Sequence, residues 1–159
     1  MDMKNSDSQL RVILRRTRCI ACVGVSPNEV RPSYFVFRYM QMKGYRMIPV
    51  NPGHAGGTLL GEVIYRDLAA IPRETGVDMV DVFRRSEFVP EIAAQAVEHL
   101  PGLRTFWMQI GVEEADVAAD LQGGGVDVVQ NLCPKMEHQR LFGELRKAGI
   151  NTGVISSRL

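Results

Sequence analysis

His54 is the residue whose setting most directly suggests chemistry, because it lies in the glycine-rich run NPGHAGGTLLG (51–61). A histidine in such a loop can carry a phosphoryl group, lie beside a ligand's phosphates, or be an ordinary solvated residue. A nucleophilic histidine needs a partner that orients its ring and donors for the developing charge. The nearest acid in sequence is Glu62, so all three roles stay open. The other histidines, His99 and His138, are expected at the surface.

Three cysteines offer possible thiol chemistry. Cys19 and Cys22 form a C-x-x-C pair, but the sequence CIACVGVS is typical of a strand, on which these two side chains face opposite sides. Redox pairs of this spacing open a helix instead, so we expect two buried, inert thiols. Cys133 precedes a predicted helix, whose N-terminus could lower the pKa of the thiol. A purely structural cysteine is the alternative.

The loop VGVSPNEVRPS has features of a phosphate site, although it lacks the dinucleotide fingerprint G-x-G-x-x-G. Only Gly24 of that fingerprint remains, and Ser26 and Pro27 replace the close-approach glycine. The loop can still present backbone N–H groups and a helix start to a phosphate. Arg31 adds a fork of donors that suits a diphosphate, or it is a solvated surface charge.

A second group of candidates follows the sequence VDMVDV, in FRRSEFVPEI. Alternation sends Arg84 and Arg85 to opposite faces, so we expect at most one of them to meet a ligand. Phe83 and Phe88 could flank an adenine or belong to the core. In WMQIGVEE, Gly111 precedes a helix and could admit a ligand or simply form a tight turn.

The end of the second strand weakens an NAD interpretation. NAD-binding domains place an acid there to accept a hydrogen bond from the ribose 2′-OH. Here the strand ends in Val50, Asn51 and Pro52. Neutral Asn51 supplies no such acid, and it also removes a charge that would repel a phosphorylated ribose.

Alternating strands and helices position these residues. The predicted strands are apolar runs at 19–26, 45–52, 77–85, 104–111 and 126–132. Helices are predicted within 33–44, 87–102, 113–125 and 134–149, after a leading segment 1–17 with a short helix over 8–16, and residues 150–159 are a tail.

Nearly continuous apolar strands that alternate with helices indicate a doubly wound α/β fold with a parallel sheet of about five strands. We expect a single domain over 1–159, with strand order 3-2-1-4-5 and the switch point between the first and fourth strands. Ligands of such folds bind at the carboxyl ends of the strands. These ends lie at Ser26, Asn51, Phe83, Gln109 and Asn131.

Composition limits the partners. The chain has 159 residues, is 45% hydrophobic, and carries 19 basic and 18 acidic residues for a net charge of +1. This balance provides no general field for nucleic acid or an anionic membrane. We find no signal peptide and no apolar run of about 20 residues that could span a membrane, which predicts a cytoplasmic protein.

Five blocks of the sequence, in order, carry a family resemblance: the VGVSP turn, GYRMIPVNP, DVFRR with FVPEIA, WMQIG and NLCPKME. Together they resemble the small stand-alone CoA-binding proteins, whose domain is similar to the CoA-binding domain of the succinyl-CoA synthetase alpha subunit. The resemblance runs from about residue 10 to residue 145. It implies a Rossmann-like domain that binds CoA or acyl-CoA as its cofactor, and it supplies no reaction.

The resemblance also implies which residues contact CoA. It puts the phosphates over the first loop and the adenine near the ends of the third and fourth strands. By matching position, the implied contacts are Gly24, Val25, Ser26, Pro27, Arg31, Asn51, Pro52, Phe83, Arg84, Val89, Gln109 and Gly111. No catalytic residue and no metal ligand is implied.

The resemblance bears on His54 and Cys133 as well. In the synthetase, a histidine in a similar GHAG string is phosphorylated, but it lies in a second domain. His54 follows the second strand instead, where the synthetase has a Pro-Gly-Lys-Gly-Gly-like loop close to the CoA phosphates. This position favours a ligand neighbour or a solvated residue over a phosphohistidine. For Cys133, a mixed disulfide with CoA is the hypothesis to test.

The leading functional hypothesis is a CoA or acyl-CoA binder without its own catalytic activity, since no triad, metal cluster or acid pair is assembled at the carboxyl edge. The alternatives are an NAD(P)-binding protein, a partner subunit of an acyl-CoA ligase, and an interaction domain with a vestigial pocket. Crevice-forming domains of this size often pair, which favours a homodimer.

Overall fold

The computed structural model describes residues 4–143 and has a five-stranded parallel sheet at its centre. The strands in chain order are β1 (Cys19–Val23), β2 (Arg46–Val50), β3 (Thr58–Leu59), β4 (Glu62–Val63), β5 (Met79–Val82), β6 (Thr105–Met108) and β7 (Asp127–Val129). The helices are α1 (Asp7–Arg16), α2 (Pro32–Met42), α3 (Val89–His99), α4 (Ala115–Gly123) and α5 (Pro134–Phe142). The predicted doubly wound α/β fold is confirmed.

The leading helix, α1, begins at a capping box. The Ser6 hydroxyl accepts from the N–H of Gln9, and the Gln9 side chain accepts from the N–H of Ser6. This exchange satisfies two N–H groups that a helix start otherwise leaves unpaired. The predicted tail, residues 150–159, lies outside the described residues. Within residues 4–143, no helix has the length and apolar character needed to cross a bilayer.

The order of the sheet is β2-β1-β5-β6-β7, which is 2-1-3-4-5 for the five predicted strands. The predicted order 3-2-1-4-5 is therefore wrong. The switch point lies between β1 and β5, not between the first and fourth predicted strands. Right-handed crossovers are compatible with both orders, so handedness alone did not distinguish them.

Pro49 marks β2 as an edge strand. The N–H of Arg46 donates to the carbonyl of Arg18 just before β1, and alternate residues of a strand point to the same neighbour. The nitrogen of Pro49 therefore faces away from β1. Because proline cannot donate to a second neighbour, it is confined to edges. The outward carbonyl of Pro49 accepts from the N–H of Tyr65 at 3.0 Å, which covers part of this edge.

Two core clusters lie on the two faces of the sheet. Helices α3 and α4 cover one face, and helices α1, α2 and α5 cover the other. Cys19 belongs to the first cluster and Cys22 to the second. The prediction that these thiols face opposite sides is confirmed.

The segment after β2 contains a small hairpin that the sequence did not reveal. Strands β3 and β4 are antiparallel and have two residues each. Their turn residues, Leu60 and Gly61, have φ of 47° and 88°. Positive φ at both positions is typical of a type I′ turn, which usually contains Asn-Gly or Asp-Gly. The unusual leucine and the short strands explain why the hairpin was missed.

Candidate functional site

The switch point lies between the carboxyl ends of β1 and β5, and we refer to this position as the crevice because doubly wound folds bind their ligands there. The loop after β1 leads to α2 on one face of the sheet, and the loop after β5 leads to α3 on the other. The two loops therefore separate, and doubly wound folds bind ligands at such points.

Gly24 and Arg84 meet across this crevice. Gly24 has φ of 92°, and its N–H donates to the carbonyl of Val50 at 2.8 Å. A Cβ at position 24 would lie only 2.9 Å from Cδ of Arg84. Glycine is thus required both by the backbone conformation and by the close approach of the arginine.

The Arg84 guanidinium stacks on Phe88, with its Cζ 4.2 Å from the ring centroid. It forms no ion pair with any other residue in 4–143. Arg85 instead pairs with Glu87 at 2.9 Å, where both side chains are largely exposed. Both guanidiniums approach the Phe88 ring, so the expected divergence of the two arginines is not seen; Arg84 is the one of the two without an ion-pair partner among the described residues.

The Phe88 ring, a candidate for adenine stacking, is contacted by two guanidiniums and by the first core cluster. Arg84 covers the ring at 4.2 Å, and the Cζ of Arg85 lies 5.4 Å from the same centroid. Phe83 is half-buried against the second core cluster. An adenine on the face of Phe88 that Arg84 covers would have to displace that guanidinium.

The loop after β1 is largely closed by its own hydrogen bonds. The N–H of Ser26 donates to the Ser33 hydroxyl at 3.0 Å, and the N–H of Asn28 donates to the Ser26 hydroxyl at 3.1 Å. The N–H groups of Val30 and Arg31 donate to the side chain and the carbonyl of Asn28. The expected cradle of free amides is therefore not preformed at these four positions.

The start of α2 remains available to an anion. Arg31 is the N-cap residue, its side chain makes no capping hydrogen bond, and Pro32 follows at the first helical position. Arg31 is exposed and has no ion-pair partner within the described part of the chain. An uncapped helix N-terminus and a free guanidinium both favour negative charge.

Asn51 connects the first loop to the loop after β2. Its Nδ2 donates to the carbonyl of Val25 at 2.9 Å, and its Oδ1 accepts from the N–H of Gly53 at 2.9 Å. Each end of the amide is thus engaged once, which leaves one N–H group and one oxygen lone pair of the side chain for a ligand. Pro52, the next predicted residue, is exposed.

Two of the predicted contacts are core side chains. Val25 is 1% exposed and Val89 is fully buried, each in a different core cluster. Their side chains support the two loops of the crevice and present no surface to a ligand. Gly111, in contrast, has φ of 85° and open space where a side chain would be.

Gln109 is buried and lies beside a buried acid. Its Nε2 is 3.5 Å from Oδ2 of Asp81, and Oδ1 of Asp81 has no partner among the described residues. Asp81 is fully buried in β5. Burial raises its pKa well above the ordinary value of 3.8, because the charged form loses its hydration. The sequence signal for this acid was a charge inside the apolar run VDMVDVF.

The expectation of a lowered pKa at Cys133 is wrong. Cys133 is the N-cap residue of α5 and is 7% exposed. Burial raises the pKa of its thiol, and the nearby N–H groups of Lys135 and Met136 offset this only in part. Burial also raises the pKa of Cys19 to about 11 and that of Cys22 well above its ordinary value. All three thiols are free, buried and protonated at neutral pH.

The histidines differ in their surroundings. His54 is exposed in a short turn, and no described residue pairs with its ring. His138 was expected at the surface, and it is half-buried. Its Nδ1 lies 2.9 Å from the Tyr39 hydroxyl, and its ring contacts Phe142 and Tyr45 where α2 meets α5. Within residues 4–143, no three His, Cys, Asp or Glu side chains are grouped to hold a metal.

Comparison with known proteins agrees with this architecture. Residues 18–139 match the model of the CoA binding domain. The chain belongs to this CoA-binding family. Recognition of the family from the five sequence blocks is therefore confirmed.

Similar proteins span most of the chain. YneT, an uncharacterized protein of Bacillus subtilis strain 168, is 34% identical over 134 residues, which are 84% of this chain and 94% of YneT. A hypothetical protein from Pyrococcus horikoshii OT3 superposes with a TM-score of 0.79 at 30% identity, over 90% of this chain and 100% of its own. A protein from Thermus thermophilus gives 0.75 at 32% identity, over 87% and 100%.

Proposed function

We propose that this protein binds CoA or an acyl-CoA in the crevice between β1 and β5, and that it does so without catalysing a reaction of its own. Membership of the CoA-binding family supports the ligand class. The carboxyl edge of the described sheet carries cations and amides, and we find there no nucleophile paired with a base. A cytoplasmic location and a homodimer remain predictions.

The observation that carries the proposal is the pair of uncompensated guanidiniums beside an uncapped helix. Arg84 lies against Gly24 at the end of β1, and Arg31 begins α2, the helix that follows the same loop. A diphosphate between them would accept hydrogen bonds from both side chains. Hydrogen bonds to charged groups contribute about 1.5–3 kcal/mol each, so loss of one should weaken binding by about 10- to 150-fold.

The internal hydrogen bonds of the loop after β1 limit which of its groups can contact the phosphates. Because the N–H groups of Ser26 and Asn28 already have acceptors, the guanidiniums make the first contact with the phosphates. Further amide contacts require the loop to exchange its own hydrogen bonds for bonds to the ligand. Asn51 limits that movement, since it holds the carbonyl of Val25.

Isothermal titration with CoA tests the proposal. We expect binding by the wild type, and a loss of about 10-fold or more in Arg31→Ala and Arg84→Ala. Arg85→Ala is the matched control, because it removes the same charge from a side chain paired with Glu87 in solvent. It should bind as the wild type does.

Two results would overturn the proposal. One is the absence of binding heat with CoA and acetyl-CoA for a folded sample at low salt. The other is an equal loss in all three arginine variants, which would indicate a general charge effect. NADH fluorescence distinguishes the NAD(P) alternative, which Asn51 disfavours because it is neutral where NAD-binding domains place an acid.

A further inference from the structure

A cavity of about 380 Å³ opens at the carboxyl end of β7, between the N-terminal segment, the loop after β6 and α5. Five charged side chains, three amides and two leucines line it. None of the residues predicted to contact CoA is among them. It is a polar surface pocket, called the chamber below, whose lining includes exposed residues such as Glu113 and Asn131.

Hydrogen bonds and ion pairs hold its walls in place. Arg140 donates to both carboxylate oxygens of Asp7, at 3.0 and 2.8 Å, and to Glu137 at 2.7 Å. Asn131 Oδ1 accepts from the N–H of Gly111 at 2.7 Å. This last bond joins the chamber to the loop after β6, and hence to the edge along which CoA is proposed to lie.

The chamber also contains free hydrogen-bond donors. Gln130 uses its Oε1 to accept from the N–H of Glu114 at 2.8 Å, as Asn131 uses its Oδ1. The NH₂ groups of both amides donate to no other residue in 4–143. Meanwhile three carboxylates face two cations in the lining, which disfavours a further negative charge. These groups suit a neutral ligand with an oxygen acceptor.

The distance from the crevice to the chamber matches the reach of CoA. From β1 the sheet runs through β5 and β6 to β7, which is three strand spacings, or about 14 Å. The pantetheine arm of CoA has about twelve chain atoms between the diphosphate and the sulfur. That equals about four extended residues, again about 14 Å. An arm extended along the sheet edge would bring its thioester to the chamber.

We propose that this chamber receives the acyl group of a short, uncharged hydroxyacyl- or oxoacyl-CoA, whose oxygen accepts from the amides of Gln130 and Asn131. The inference rests on the proposed CoA binding. If the pantetheine arm runs from the diphosphate toward β7, the adenosine must extend the other way, toward the loop after β2. Dinucleotide folds hold the adenosine ribose on that side. This placement therefore replaces the expectation of an adenine near the ends of β5 and β6, where Phe88 is already covered.

Paired ligands test the chamber in the full-length protein. 3-Hydroxybutyryl-CoA differs from butyryl-CoA by one hydroxyl group, and one hydrogen bond corresponds to about two- to tenfold in affinity. We expect the hydroxyacyl ligand to bind more tightly by that factor. Succinyl-CoA, with its added carboxylate, should bind no more tightly than butyryl-CoA.

The double variant Gln130→Glu with Asn131→Asp keeps the two wall acceptors and removes both NH₂ donors. It should abolish the preference for the hydroxyl group while CoA itself still binds. Gln95→Glu is the matched control, because Gln95 on α3 likewise uses only its Oε1, to accept from Leu68. It should keep the preference.

The outcomes separate this inference from the proposed function. If CoA does not bind the wild type, the proposed function fails. If CoA binds but the two acyl ligands bind equally, the chamber hypothesis alone is refuted. It is also refuted if the double variant keeps the preference.

Discussion

The contact between Gly24 and Arg84 gives the most discriminating prediction about the crevice. Gly24→Ala adds a methyl group where Cδ of Arg84 lies 2.9 Å away and Cγ lies 3.1 Å away. The arginine is a flexible side chain, so it will move aside. In doing so it leaves the face of Phe88 and the position from which we propose that it meets a phosphate.

Two terms determine the stability change. A non-glycine residue at φ of 92° costs about 1–2 kcal/mol, and loss of the stacking of Arg84 on Phe88 costs about 0.5–1 kcal/mol. We therefore expect Gly24→Ala to lower the free energy of unfolding by about 1.5–3 kcal/mol. For a domain of this size, each kcal/mol lowers the Tm by about 2–4 °C.

Gly44→Ala is the matched control. Gly44 has φ of 101° and no atom within 4 Å of a Cβ at that position, so it has the backbone strain without the displacement. We expect a loss of about 1–2 kcal/mol and unchanged CoA affinity. Gly24→Ala should weaken CoA binding by about tenfold or more, as Arg84→Ala does. Urea unfolding and isothermal titration measure the two quantities.

The reasoning is refuted if Gly24→Ala and Gly44→Ala lose the same stability and both bind CoA as the wild type does. Arg84 would then have no special relation to position 24. If Gly24→Ala loses affinity but Arg84→Ala does not, the strained loop itself, and not the guanidinium, would hold the ligand.

Three further predictions concern Asp81, Asn51 and the three thiols. Burial raises the pKa of Asp81, so its stability contribution is fully present below a pH of about 4 and is lost as the pH rises toward the folded pKa. Asp81→Asn should therefore gain stability over the wild type as the pH rises above about 4, by up to about 1.4 kcal/mol per pH unit in urea unfolding, and a pH-independent difference would contradict this. Asn51→Asp replaces the N–H donor to the carbonyl of Val25 with an acceptor. We expect the free energy of unfolding to fall by about 1–3 kcal/mol in thermal unfolding, with no gain of NADH binding. An unchanged Tm would argue against the role of this hydrogen bond in joining the two loops. All three thiols, including Cys133, are buried and free. A disulfide reagent at pH 7 should therefore react slowly with the folded protein and rapidly with three thiols in urea. Fast labelling of the folded state would show that Cys133 is reactive.

Local sequence determined the elements and several of their details. Apolar runs predict the five strands because both faces of a parallel sheet are buried. Alternation predicts that Cys19 and Cys22 face opposite sides, and the structure confirms it. The five ordered blocks were sufficient to recognise the CoA-binding family. Pro49 also contained the information that β2 is an edge strand, although this signal was not used.

Only the tertiary structure determined what meets at the sheet edge. The side of β1 on which β5 pairs fixes the switch point; Pro49 excludes β5 from the outer side of β2, but the pairing of β5 with the free side of β1 is a tertiary contact. The contact of Arg84 with Gly24, the bond from Asn51 to Val25 and the chamber at β7 all join segments that are distant in sequence.

The pKa of Cys133 likewise depends on one factor that the sequence shows and one that only the fold determines. Its position before a helix is visible in the sequence and predicts a lower pKa, but burial acts in the opposite direction and is the larger effect. Burial depends on how α5 packs against the sheet, and therefore on the whole fold. Types and spacings of residues determine which groups are present, while the packing of distant segments determines which of them are free, charged and close enough to act together.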